Sequence, residues 1–65
     1  MIILVANTRT VAHRWAKENK LYKDKYRVAT TEAGALNITV KYAKVIIVES
    51  NKEVERALRW RKILS

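Results

Sequence analysis

A chain of 65 residues buries only about 60% of its unfolded surface, so it is marginal as a lone folding unit. It has no Cys, which excludes disulfide staples and thiolate metal sites, and its single His cannot build a metal site alone. Fourteen Lys and Arg against six Asp and Glu give a net charge of +8, a field that attracts nucleic acid, anionic lipid or acidic protein. The hydrophobic fraction of 49%, the single Gly and the absence of Pro exclude a disordered or linker chain. The opening MIILVA is too short for a signal segment, and no apolar run approaches the roughly 20 residues of a membrane span, so a soluble cytoplasmic protein is expected.

Residues 2–6, IILVA, form a continuous apolar run rich in β-branched residues, the pattern of a strand covered on both faces of a parallel sheet. After the polar stretch Asn7–Thr10, the residues Val11, Ala12, Trp15 and Ala16 recur at helical spacing, with Thr8 or Thr10 able to cap the helix. Arg14 and Glu18 stand four apart on it. A polar turn around Lys23–Lys25 leads to a second strand over about Tyr26–Ala29. Thr30 or Thr31 then caps a short helix, TEAGALN, with Ala33 and Leu36 inward and Gly34 weakening its middle. ITVKY alternates like a strand, but with no turn before Lys44 it reads as a connection over residues 38–43. The third strand is KVIIVE, at 44–49. Ser50 as N-cap with Glu53 three residues on makes a capping box for a last helix over about Asn51–Ile63. Val54, Ala57, Leu58, Trp60 and Leu64 supply its apolar side, and Trp15 and Trp60 are expected as core anchors.

The alternation β-α-β-α-β-α predicts one α/β domain over 1–65: a three-stranded parallel sheet of order 2-1-3 with helices on both faces. The stretches IILVANTRTVAHRWAKENKL, YRVATTEAGALN and KVIIVE together look like half of a flavodoxin-like or P-loop-like domain. They also resemble small proteins of tailed bacteriophages that infect actinobacteria, a group with no assigned activity to carry over. That resemblance implies a phage-encoded protein in the host cytoplasm. The chain departs from the group in its connections, where NKLYKDK and NITVKYAK replace Gly/Pro-rich segments.

A strand, loop and helix at the N-terminus raise the question of a phosphate site. A P-loop needs Gly for its backbone cradle and a Lys-Ser/Thr pair; ANTRTV has neither, and the dinucleotide pattern G-x-G-x-x-G is also missing. No cofactor is expected. A weaker anion or ligand site would use Asn7, Arg9, Thr10, Thr30 and Asn51 at the carboxyl ends of the strands, although Thr and Asn there are also what helix caps require. Glu32 and Glu49 could meet there as a carboxylate pair. His13 has no acid placed to orient it and reads as a solvated surface residue. The expectation is therefore no enzyme and no metal. The basic residues Arg14, Lys17, Lys20, Lys23, Lys25, Arg56, Arg59 and Lys62, with Tyr22, Tyr26 and Tyr42 interleaved, point to a binding module for an anionic partner, nucleic acid or an acidic host-protein surface. The alternatives are a nucleotide-binding remnant of a P-loop-like fold and a structural building block. Val45–Val48 would be an apolar edge strand, which together with the last helix predicts a homodimer.

Overall fold

The computed structural model describes residues 1–38 and 43–63. The chain runs β1 (Ile2–Val5), α1 (Arg9–Glu18), a short 3-10 turn (Lys23–Lys25), β2 (Tyr26–Ala29), α2 (Glu32–Leu36), β3 (Lys44–Ile47) and α3 (Lys52–Trp60). The three strands form one parallel sheet in the order β2-β1-β3, as the alternation of patterns predicts. The register places Ile2 beside Tyr26 and Lys44, and Val5 beside Ala29 and Ile47.

β1 is central, and Ile3, Leu4 and Val5 have no accessible surface. That is why its apolar run is unbroken: alternate residues feed two separate halves of the core. Leu4 packs with Ala12, Ala16 and Tyr26 on the face covered by α1. Ile3 and Val5 pack with Ala29, Ala35, Val54, Ala57 and Leu58 on the face covered by α2 and α3. The chain steps one way from β1 to β2 and the other way from β2 to β3. Crossovers of one hand then send α1 and α2 to opposite faces. Each of the fully buried Ile, Leu and Val side chains contributes roughly 1.5–3 kcal/mol of transfer free energy, most of what holds so small a domain together.

The helix ends are settled by their caps. Thr8 Oγ1 accepts from the Val11 N–H at 3.3 Å, so of the two candidate threonines Thr8 caps α1 and Thr10 lies inside it. Thr31 caps α2 through the Gly34 N–H, and a Cβ on Gly34 would stand 3.1 Å from that same Thr31 oxygen. α1 and α3 end alike. Lys20 (φ 55°) and Lys62 (φ 60°) take the left-handed conformation. The next residue folds back, Leu21 N–H to the Ala16 carbonyl at 2.8 Å and Ile63 N–H to the Leu58 carbonyl at 2.9 Å. These are Schellman closures without glycine, and Leu21 and Ile63 complete them by packing against the core.

Several expectations need correction. The last helix is capped by Asn51, one residue later than Ser50, and Glu55 rather than Glu53 returns to the cap, accepting from the Asn51 N–H at 3.0 Å. Asn51 prevails because its amide also donates, to the carbonyls of Ala6 and Thr30, each at 3.0 Å. In α2 the buried residue is Ala35, whereas Ala33 and Leu36 face solvent. Trp60 is 78% exposed. Val54, Ala57, Leu58 and Arg61 share one stripe of α3, and at roughly 100° per residue Trp60 falls about 110° from its centre. Trp15 does pack, half-buried, against the α1-side core. Arg14 and Glu18 are not paired; the ion pair among the described residues is Glu55–Arg59, 3.9 Å. The proposed connection at 38–43 and Leu64 lie largely outside the described residues: Ile38 is buried and Ala43 packs against the core.

Candidate functional site

Two regions compete for function: the crest formed by the carboxyl ends of the strands, and the surface where α1 meets the 3-10 turn and β2. At the crest several of the donors that an anion would use already have an internal partner. Glu49 Oε1 accepts from the Asn7 N–H at 3.2 Å, and the Asn7 amide donates to the Ser50 carbonyl at 3.2 Å. Glu53 Oε1 accepts from the Glu32 N–H at 3.0 Å, so α3 caps the first turn of α2. Asn51 gives its side-chain oxygen to the Val54 N–H and its amide to Ala6 and Thr30. Three carboxylates, Glu49, Glu53 and Glu55, thus hold crest N–H groups, and their negative charge opposes a phosphate. Glu49 is engaged with Asn7 and Glu53, not Glu49, is the acid beside the Glu32 backbone. Asn7, Thr30 and Asn51 act here as stitches between strand ends and helix caps.

Arg9 belongs elsewhere. With His13, Lys23, Tyr26, Arg27 and Val28 it lines a groove of ≈ 330 Å³. A second groove of ≈ 390 Å³ adjoins it and shares His13, Lys23 and Tyr26, adding Lys17, Lys20, Leu21 and Tyr22. Among the described residues no carboxylate lines either groove. The local folding that produces this surface is simple. Lys17 and His13 stand one turn apart on α1, and the Schellman turn at Lys20 reverses the chain past the helix end. Leu21 anchors that turn in the core, and the 3-10 turn, closed by the Lys25 N–H on the Tyr22 carbonyl at 2.9 Å, returns Lys23 toward α1.

The centre of the surface is a side-chain pair. His13 Nδ1 lies 2.6 Å from the hydroxyl of Tyr26, whose ring is buried and tilted 60° to the imidazole. His13 is therefore half-buried and held by a tyrosine, contrary to its reading as a solvated surface residue. Arg27, from the open edge of β2, turns back to donate to the Tyr26 carbonyl at 3.3 Å, which keeps its charge beside the groove.

The eight basic residues singled out from the sequence do not form one surface. Lys17, Lys20 and Lys23 come together on the α1 side. Arg14 and Lys25 are exposed nearby on α1 and the 3-10 turn, outside both grooves. Arg56 and Arg59 join Lys52 in a groove on α3, across the sheet from α1, together with Glu55. Lys62 is exposed at the end of α3. Arg61 is structural: its guanidinium donates to the Ala35 carbonyl at 2.9 Å and to the Ile38 carbonyl, closing the end of α2. The sequence pattern places Arg9 at the crest and does not single out Arg27 or the His13–Tyr26 pair. The available signal was the strand order itself, which makes β2 an edge and brings its first residues beside α1.

No metal-holding cluster of His, Asp or Glu occurs among the described residues, and none of the described helices is long and apolar enough to cross a membrane. No protein-family model matches the chain, and no curated protein or solved structure matches it either. The phage resemblance thus rests on sequence pattern alone.

Proposed function

We propose that the chain is a small non-enzymatic binding module that holds nucleic acid on the surface between α1, the 3-10 turn and β2. One observation supports this above others: two adjoining grooves carry Arg9, Lys17, Lys20, Lys23 and Arg27, and among the described residues no carboxylate lines them. Converging cations with no internal counter-charge repel one another, and a polyanion relieves that repulsion while releasing its own counterions. The α3 patch differs, since Glu55 pairs with Arg59 and partly neutralises it. If about four phosphates are neutralised, affinity for a single strand falls roughly 50-fold between about 50 and 200 mM salt. The test is an anisotropy titration across that range. The double reversal Lys17→Glu/Lys23→Glu abolishes binding, whereas Lys52→Glu/Arg56→Glu leaves it nearly intact. Binding that is independent of salt, or lost equally in both variants, refutes the assignment. An acidic protein surface is the alternative polyanion; it would bind without being displaced by excess oligonucleotide.

A second observation favours self-association. The two edges of the sheet differ. At β2, Arg27 occupies the edge and donates to a strand carbonyl, and Lys25 flanks it, which discourages pairing. At β3, Val45 and Ile46 are only half-buried and Ile47 is 42% exposed, with no charge between them. We infer a homodimer through β3, with two sheets of three strands becoming one of six. Light scattering of the wild type and of Ile47→Lys is the check: a dimer that the Lys converts to monomer is expected, and a monomeric wild type at micromolar concentration overturns it.

A further inference from the structure

We propose that the occupant of the larger groove is single-stranded rather than duplex nucleic acid, with one base stacked on Tyr22 and the flanking phosphates on Lys17, Lys20 and Lys23. This rests on the nucleic-acid reading above and names the form of the ligand. Tyr22 lies in the lining of the groove with those three lysines, yet it is 74% exposed. Its neighbours account for the exposure. Leu21 before it and Tyr26 after it fill the apolar positions of the core, so the ring of Tyr22 has no place inside. Its backbone is fixed: it is extended at φ −79°, ψ 149°, and its carbonyl closes the 3-10 turn by accepting from Lys25. A free ring on a fixed backbone is a stacking platform that loses little entropy on binding.

The chemistry discriminates between ligand forms. In a duplex the base faces are covered by their neighbours, and only phosphates and groove edges are offered to a protein. A single strand offers an open π-face beside each phosphate, which suits an aromatic ring set among lysines and tolerates any base. Lys20, at the left-handed position that closes α1, stands in the same groove lining.

The experiment compares a labelled single strand of roughly ten nucleotides with the matched duplex, at about 50 mM salt, for wild type, Tyr22→Ala and Tyr22→Phe. Tyr22→Ala is expected to weaken single-strand binding about tenfold and leave duplex binding unchanged, while Tyr22→Phe stays within about twofold of wild type. Circular dichroism of each variant separates loss of stacking from loss of fold. Equal single-strand affinity in Tyr22→Ala and wild type, or tighter binding of the duplex, overturns the proposal while leaving the nucleic-acid reading in place. Absence of binding to either form overturns both.

Discussion

Replacing Asn51 with Ala removes three hydrogen bonds through one side chain and loosens a fourth made by its backbone. The side-chain oxygen caps α3 through the Val54 N–H, and loss of an Asn cap costs about 1 kcal/mol. The amide satisfies the carbonyl of Ala6, a residue with no accessible surface, and leaving a buried acceptor unpaired costs about 1–3 kcal/mol. The carbonyl of Thr30 is only half-buried and adds less. With the Asn51 N–H to Glu55 contact also loosened, the total is about 3 kcal/mol. At roughly 0.05–0.15 kcal/mol per residue the whole domain is stable by only about 3–10 kcal/mol. The melting temperature should therefore fall by about 12–24 °C, or the fold should be lost. Asn51→Asp separates the two roles, because it keeps the cap acceptor and loses both donated bonds; it should cost about 2 kcal/mol. Ser50→Ala, at the residue that the S-x-x-E pattern nominates, should stay within about 0.5 kcal/mol. Urea and thermal unfolding followed by far-UV circular dichroism measure all three. A cost for Asn51→Ala below about 1 kcal/mol, or one smaller than that of Ser50→Ala, would refute the stitching role.

Further expectations concern packing and strain. Leu58→Ala empties a fully buried position beside Val54 and Ala57 and should cost about 2–5 kcal/mol, enough to unfold much of the population at 37 °C; a loss under about 1 kcal/mol in urea unfolding would contradict the burial. Trp60→Ser should change stability by no more than about 0.5 kcal/mol, since the indole is largely in water; a core-sized loss by the same assay would restore it as an anchor. Lys62→Gly should stabilise the chain by up to about 1 kcal/mol, because glycine adopts the left-handed turn without a Cβ clash, and a lower melting temperature would speak against that reading. Tyr26→Phe should cost about 1 kcal/mol through the lost hydroxyl bond to His13, read as an altered imidazole chemical shift together with a lower urea midpoint.

The sequence by itself determined the architecture. An unbroken apolar run such as IILVA belongs in a sheet covered on both faces, and the helical patterns between runs make the strands parallel and the crossovers right-handed. It also determined the caps at Thr8 and Thr31 to within a choice of two neighbours, because capping chemistry acts over three residues. What it left open was decided by contacts between residues a dozen or more positions apart. Asn51 outcompetes Ser50 only because the ends of β1 and β2 present carbonyls to it. The candidate surface is the clearest case. Arg9, Lys17, Lys23 and Arg27 are spread over nineteen positions of chain, yet the crossover from β1 to β2 brings them around the His13–Tyr26 pair, while Arg56 and Arg59 are carried to the opposite face. Local sequence sets which residues bear charge; the route of the chain across the sheet sets which charges meet.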